Sequence, residues 1–255
     1  MAEFSEYEHG TPCWVDISSP DQAATRAFYT GLFGWEVEEL PADAGGYAQF
    51  TLGGKVVAGT GPQMMPGMPT VWTTYVKVDD AAAVTAAATE KGATVFVEPM
   101  EVMQAGKMAM FADPMGVPIA LWQPGQHFGA ELANEPGAFT WNELQSRDVE
   151  AAKSFYGAVF GWGEATEDFG GMPYTQFMLG EKPVAGMLPI NPMVPAEVPG
   201  FWLVYFAVTD TDATVARAGE LGGSVLMPAI DSPVGRFGIL NDTDGAAFAV
   251  IQLPG

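Results

Sequence analysis

The chain has 255 residues, 48% of them hydrophobic and 12% aromatic, which is enough to fill the core of one large domain or two ordinary ones. Ten Lys and Arg against 31 Asp and Glu give a formal net charge of −21, which argues against nucleic acid or an anionic membrane as a partner. One cysteine, Cys13, and an acidic start, "MAEFSEYEHG", indicate neither a disulfide framework nor a secretory signal, so we expect a cytoplasmic protein.

The first sixty residues predict a strand, a helix and two further strands. The helix lies in "SPDQAATRAFYTGLF", with Ser19 as its N-cap and Gly34 as its stop. Short alternating runs of apolar and polar residues predict the strands. The predicted strands are 12–18, 47–52 and 55–60.

After a connector rich in Pro and Met, "GPQMMPGMP", the same order recurs. A strand at 72–78 leads into a helix from Asp79 to Lys91, which Gly92 ends. The remaining predicted strands of this part are 94–97, 107–111 and 117–122.

The chain repeats itself with a shift of 127 residues. "RAFYTGLFGW" returns as "KSFYGAVFGW", Trp14 falls on Trp141, and Asp16 falls on Glu143. "VAG" occurs at 57–59 and at 184–186, where we expect strands to approach closely. A repeat that covers half of the chain indicates two copies of the same structural unit. We therefore predict two homologous halves, 1–122 and 137–255, joined by a linker at 123–136, each with two βαβββ modules.

"DQAATRAFYTGLFGW", "DVEAAKSFYGAVFGW" and the strand-turn-strand "FADPMG" carry a family resemblance. The chain resembles the vicinal oxygen chelate superfamily, which includes glyoxalase I, extradiol dioxygenases and bleomycin-resistance proteins. It is similar within it to two-domain actinobacterial members, among them hydroxylase-like proteins of antibiotic gene clusters and a mycobacterial antigen. The resemblance implies an α+β fold of two tandem glyoxalase-like domains with cupped mixed sheets. Each cup would hold a small ligand and would form within one half or by exchange of modules between the halves.

The resemblance also places the metal ligands that other members carry on three strands of each cup. These positions are occupied here by Trp14, Thr73 and Ala120, and by Trp141, Leu203 and Ala249. A divalent metal needs three or four nitrogen or oxygen donors, so we predict no catalytic metal and no cofactor. The only histidines, His9 and His127, lie in the leading arm and the linker, where we expect exposed loop residues.

Alternation along a strand places one set of side chains on the cup face. The candidate ligand-binding residues are Trp14, Thr73, Trp122 and Trp141, with Lys107 and Arg236 as anion anchors at the cup mouth. The candidate catalytic residues are Asp16, Tyr75, Glu143 and Tyr205. A buried carboxylate with a raised pKa is a candidate general base, and a neighbouring tyrosine is a candidate donor to the oxygen where charge develops.

Three functions follow from these residues. The first is a metal-independent lyase, isomerase or oxygenase-like enzyme acting on an aromatic or polyketide-like metabolite, and not a true glyoxalase I. The second is a binder that sequesters a drug or metabolite without reaction. In the third, Trp14 and Trp141 plug the cups and the surface engages a protein partner. Four modules can close both cups in one chain, so a monomer and a homodimer are both compatible with the sequence.

Overall fold

Each half of the chain folds into one eight-stranded mixed sheet with two helices. The computed structural model describes residues 3–63, 67–168 and 171–254. The first half contains β1 Pro12–Ser19, α1 Gln22–Phe33, β2 Glu36–Glu39, β3 Ala48–Leu52, β4 Lys55–Pro62, β5 Val71–Lys77, α2 Ala81–Glu90, β6 Thr94–Val102, β7 Gly106–Ala112 and β8 Pro118–Pro124. The second half contains β9 Phe139–Ser146, α3 Val149–Phe160, β10 Gly163–Asp168, β11 Pro173–Leu179, β12 Lys182–Pro189, β13 Phe201–Ala207, α4 Thr211–Glu220, β14 Ser224–Ser232, β15 Gly235–Asn241 and β16 Ala247–Gln252.

The strand order is the same in the two sheets. It runs β2-β3-β4-β1-β5-β8-β7-β6 in the first and β10-β11-β12-β9-β13-β16-β15-β14 in the second. The opening strands of the two modules pair antiparallel at the centre, with Asp16 opposite Thr73 and Glu143 opposite Leu203. Both modules of a sheet therefore come from one half. The α+β fold of four βαβββ modules is confirmed, and exchange of modules between the halves is excluded.

Local details of the first helix differ from the prediction. Its N-cap is Asp21, whose carboxylate accepts a hydrogen bond from the Ala24 amide at 3.0 Å. The Ser19 hydroxyl instead donates to Asp244 of the second half at 2.6 Å. Gly34 ends the helix in the left-handed conformation, as predicted, with φ of 71°. Strand β2 was missed because "EVEE" is charged and mostly exposed, and shows no apolar alternation.

Two buried tyrosines join the halves. The Tyr29 hydroxyl on α1 donates to Asp242 Oδ2 at 3.1 Å, and the Tyr156 hydroxyl on α3 donates to Asp113 Oδ2 at 3.0 Å. Asp113 belongs to the turn of "FADPMG", and its other oxygen accepts the amides of Met115 and Val117 at 2.9 Å each. The repeated Phe-Tyr pair and the Asp of the repeated turn thus bond reciprocally across the molecule.

The sheets face each other on the side of these tyrosines. Thr74 of β5 donates to Asn142 of β9 at 2.8 Å, and the rings of Phe28 and Phe248 pack 6.1 Å apart. Because strand side chains alternate, the neighbours of Thr74 and Asn142 along their strands point away from the other sheet.

Each sheet therefore has an outward face. We call the outward face of the first half the first cup, with Trp14, Asp16, Tyr75 and Trp122. We call that of the second half the second cup, with Trp141, Glu143, Tyr205 and Ile251. In the described residues, no helix is long and apolar enough to span a membrane.

The tyrosine–aspartate bond between the halves predicts energetic coupling. Because both partners are buried, Tyr29→Phe and Asp242→Asn should show a coupling energy of about 1–3 kcal/mol in a double-mutant cycle. Urea unfolding monitored by circular dichroism measures it. Tyr29→Phe combined with Asp113→Asn is the control and should be additive within about 0.5 kcal/mol. Additivity in the first cycle would contradict a bond that holds the halves together.

Candidate functional site

The first cup contains a buried carboxylate with two tyrosine donors. Asp16 lies on β1 between β4 and β5, and it is 5% exposed. The hydroxyls of Tyr47 and Tyr75 each donate to Asp16 Oδ2 at 2.9 Å. Trp14 Nε1 donates to the Tyr47 hydroxyl at 3.0 Å. The candidate catalytic pair of this half, Asp16 and Tyr75, is therefore in direct contact.

The second cup repeats this arrangement with a longer acid. Glu143 is also 5% exposed, and its Oε1 accepts from the Tyr205 hydroxyl and from Gln145 Nε2 at 2.8 Å each. Trp141 Nε1 donates to the Tyr174 hydroxyl at 2.8 Å. The structure thus brings Glu143, Tyr205 and Trp141 together as the matching set.

Burial dominates the electrostatics of both acids. It raises the pKa of Asp16 to about 6 and that of Glu143 to about 7, although hydrogen bonds from tyrosines to each carboxylate oppose the shift. Burial, together with the neighbouring carboxylate, raises the pKa values of Tyr75 and Tyr205 well above 10. The tyrosines therefore remain protonated donors at neutral pH. Glu143 has both protonation states populated there, as an acid that accepts and returns protons requires.

Two glycines make room for the tyrosine hydroxyls. A Cβ atom on Gly59 would lie 1.9 Å from the Tyr47 hydroxyl oxygen, and one on Gly186 would lie 2.0 Å from that of Tyr174. The "VAG" repeats were expected to let strands approach each other. In the structure, the third residue of each repeat also lets a tyrosine ring approach the backbone closely. The ring can therefore lie over the strand and reach the cup.

Three residues of the two networks escaped the sequence analysis. Tyr47 is the first residue of the predicted strand 47–52 and lies just before β3, and Tyr174 is the second residue of β11. They are 127 residues apart, and that offset could have identified them. Gln145 could not be found by the repeat because its counterpart is Ser18. The two networks therefore share a tryptophan, two tyrosines and an acid. They differ in the additional polar neighbour of the acid, which is Thr73 for Asp16 and Gln145 for Glu143.

The remaining candidates lie in different places. Trp122 is in the first cup, and Thr73 stands opposite Asp16 on the neighbouring strand. Lys107 forms an ion pair with Glu101 at 3.0 Å. Arg236 binds Asp212 of α4 at 2.7 Å and Asp231 at 3.0 Å. The structure does not bring these two cations to the carboxylates, because Arg236 faces the helix side of its sheet and Lys107 shares a strand face with Ala109 and Phe111.

The linker histidine is not the exposed loop residue that was expected. The His127 ring packs edge-on against Trp14, with centroids 4.6 Å apart, and lies 5.6 Å from Trp122. Desolvation lowers its pKa to about 4, so the ring is neutral at physiological pH. His9, by contrast, is at the surface beside Asp79, with its side chain 38% exposed. Sequence periodicity could not reveal the path of a linker.

The donor set does not fit the metal that the resemblance places in such cups. Three of the aligned positions in the first cup are a tryptophan, a threonine and an alanine, and those in the second are a tryptophan, a leucine and an alanine. Ala120 and Ala249 are fully buried beside Tyr75 and Tyr205. Across the described parts of the chain, no three His, Cys, Asp or Glu side chains come together. Divalent metals need more donors than these positions supply.

Comparison with known proteins adds family context to this geometry. The sequence profile of the Glyoxalase/Bleomycin resistance protein/Dioxygenase superfamily matches residues 13–121 and 138–250. A Mycobacterium bovis protein named "Putative glyoxylase CFP32" is 41% identical, over 99% of this chain and 98% of its own. "Anthracycline biosynthesis protein DnrV" of Streptomyces peucetius is 40% identical, over 98% of this chain and 95% of its own. The Mn(II)-bound glyoxalase from Novosphingobium aromaticivorans is similar in fold, with a TM-score of 0.67, 17% identity, and coverage of 96% of this chain and 83% of its own.

The raised pKa of Glu143 predicts how stability depends on pH. An acid whose pKa rises from 4.5 to about 7 on folding favours the folded state below pH 4.5, and this contribution is lost as the pH rises through 7. The free energy of unfolding of Glu143→Gln, relative to that of the parent chain, should therefore rise by about 3 kcal/mol between pH 4 and pH 8. Chemical denaturation across this range measures the difference.

The exposed Glu167 on β10 offers a matched control. The difference in free energy of unfolding between Glu167→Gln and the parent chain should show no comparable rise between pH 4 and pH 8. A constant difference between Glu143→Gln and the parent would contradict a raised pKa at Glu143.

Proposed function

The chain belongs to the Glyoxalase/Bleomycin resistance protein/Dioxygenase superfamily, and from this membership we propose that it is a metal-independent member that binds a small aromatic or polyketide-like metabolite and transfers a proton on it. One observation carries the proposal. In each cup a buried carboxyl with a raised pKa is hydrogen-bonded by tyrosine hydroxyls, beside the positions that correspond to metal ligands in other members. Perturbed acids in such surroundings are typical of functional sites.

The side chains around the acid favour a flat ligand. Trp141 and Phe237 are only partly buried on the second cup, and the Tyr205 ring lies 5.9 Å from that of Phe237. Aromatic surfaces of this kind recognise flat molecules by stacking and by apolar area, while a few polar groups fix their orientation. We therefore expect a fused or substituted aromatic ring that carries a carbonyl or hydroxyl oxygen toward Glu143.

The proposed reaction is a proton transfer without oxidation or reduction. The ionised Glu143 takes a proton from a carbon next to a carbonyl. The electron pair of that C–H bond forms a carbon–carbon double bond, and the π pair of the carbonyl moves to its oxygen to give an enolate. Protonation removes the negative charge that the Tyr205 hydroxyl faces on Glu143, and the hydroxyl turns to donate to the charged enolate oxygen. Return of the proton to a different atom completes an isomerisation. No metal, cofactor or oxidant takes part.

One relative supports this substrate class. The Streptomyces peucetius protein is named for anthracycline biosynthesis, and anthracyclines contain a flat polycyclic aromatic system. A ligand of that shape suits stacking on Trp141 better than a small aldehyde does. A cytoplasmic location, where such metabolites are assembled, is part of the proposal.

Sequestration of a ligand without reaction is the second candidate function, and the hydrogen bonds that the two acids already receive support it. Glu143 Oε1 and Asp16 Oδ2 each receive two hydrogen bonds from within the chain, so both acids have partners without a substrate. Such a satisfied network would hold a ligand in one orientation without reacting. Binding and turnover must therefore be measured separately.

Hydrogen exchange into the ligand separates these functions. Aromatic polyketide ketones that carry a C–H bond next to the carbonyl are screened by tryptophan fluorescence and thermal shift. Each ligand that binds is incubated with the protein in D₂O and examined by mass spectrometry. An enzyme should incorporate deuterium next to the carbonyl. Glu143→Gln should lower the exchange rate about 10²- to 10⁴-fold while retaining binding, because the amide keeps the shape but is not a base.

Glu167→Gln is the control and should exchange at the parental rate. Binding without exchange in the parent chain would favour sequestration. If no compound binds, the small-molecule proposal is wrong and a protein partner becomes the leading alternative.

Metal independence gives a further expected outcome. Dialysis against EDTA should leave ligand binding, and any exchange, unchanged, since neither cup offers a suitable donor set. Elemental analysis before and after dialysis provides the check. A stoichiometric transition metal that is retained by the protein and needed for binding would refute the proposal.

A further inference from the structure

The linker between the halves is fastened onto the first cup. Its amides at Gly125 and His127 donate to the Ala105 carbonyl at 2.8 and 3.0 Å. Further along, the Ala130 amide donates to the Cys13 carbonyl at 2.9 Å, and the Tyr7 hydroxyl of the leading arm donates to the Ala130 carbonyl at 2.8 Å. We call residues 125–130 the linker plug. It is bonded at both ends, so it is part of the folded domain and not a loose tether.

The plug places a side chain between the two tryptophans of the first cup. The His127 ring contacts Trp14 and Trp122, and the His127 carbonyl accepts from Trp122 Nε1 at 2.8 Å. As a result, Trp14 is 3% exposed and Trp122 is 6% exposed. The surface on which a flat ligand would stack is therefore covered by the chain itself.

The second cup differs from the first in the burial of its tryptophan, while Glu143, Tyr205 and Ile251 are as buried as their counterparts. Ile251 takes the place of Trp122, as the pairing of Lys77 with Trp122 and of Ala207 with Ile251 shows. Six of the seven tryptophans are at most 7% exposed, and Trp141 is the exception. Trp141 packs at the border of a small separate cluster with Tyr205, Phe237 and Ile239, whereas Trp14 belongs to the large core cluster that draws residues from both halves.

We propose that the two cups have different roles: the linker plug closes the first, and a flat aromatic ligand with an ionisable oxygen binds only in the second, on Trp141 and beside Glu143. This assignment rests on the proposed function for the nature of the ligand. The accessibility of the cups does not depend on that function, so the two can fail separately.

The polar groups agree with this division. Glu143 has one more methylene than Asp16, and its donor Gln145 lies on its own strand, whereas Thr73 beside Asp16 lies on the neighbouring strand. Gln145 holds Oε1, so an orienting group is present for the acid in the second cup. Asp16 and the plug have unused polar atoms instead, since Asp16 Oδ1 and His127 Nε2 are buried without a hydrogen-bond partner. Removal of the His127 ring therefore breaks no hydrogen bond of Nε2, and His127→Ala should still fold.

Quenching of tryptophan fluorescence by acrylamide tests which cup is open. Trp141→Phe should remove the readily quenched component of the emission, and Trp14→Phe, its matched variant, should leave that component intact. His127→Ala should add a new accessible component from Trp14 and Trp122, with circular dichroism confirming the fold. Loss of the accessible component in Trp14→Phe, or equal losses in both variants, would overturn the assignment.

Binding stoichiometry provides a second test with 1,8-dihydroxyanthraquinone as the probe. One molecule should bind per chain. Trp141→Ala should weaken binding about tenfold, and Trp14→Phe should have no effect. Two equivalent sites per chain, or a loss of binding in Trp14→Phe alone, would overturn the proposal. Absence of any binding, together with the expected quenching pattern, would refute the proposed ligand class and leave the open second cup established.

Discussion

The reciprocal hydrogen bonds between buried tyrosines and aspartates are the constraint on which the rest of the structure depends. Tyr29 and Tyr156 are fully buried, and each donates to an aspartate of the other half. A buried hydroxyl or carboxylate without a partner is costly, so each half leaves groups unsatisfied unless it docks on the other in this one orientation. That docking turns the helix sides of the sheets inward, and it leaves the two cups as the outward faces of the molecule.

Buried carboxyls occur in two different settings here. Asp113 has its Oδ1 fixed by two backbone amides of its own turn and its Oδ2 by Tyr156, an arrangement that serves the joint between the halves. Glu143 lies on a central strand, bonded by side chains alone, with a partly exposed tryptophan beside it. Burial raises the pKa of both acids, yet only Glu143 lies on an outward face. A raised pKa therefore indicates a site here only in combination with position.

The repeat and the strand alternation predicted most of the fold and half of the site. A shift of 127 residues aligned Trp14 with Trp141 and Asp16 with Glu143, and alternation placed each pair on one face, as the structure has them. Residues outside regular periodicity escaped. Tyr47, at the start of the predicted strand 47–52, lies just before β3, and His127 reaches its cup from a linker whose course is set by backbone hydrogen bonds. Tertiary contacts decide such positions, and local pattern does not encode them.

Duplication explains how one fold can contain a filled cup and an accessible one. Both halves need the same interior tyrosines and aromatic rings, because the joint between them is reciprocal, and these residues are nearly identical in the two copies. The outward faces are not bound by that reciprocity. There the acid, the additional polar residue beside it and the residue at the position of Trp122 all differ between the halves. The first cup can thus be filled by the linker and stabilise the chain, while its duplicate keeps Trp141 partly exposed for a ligand.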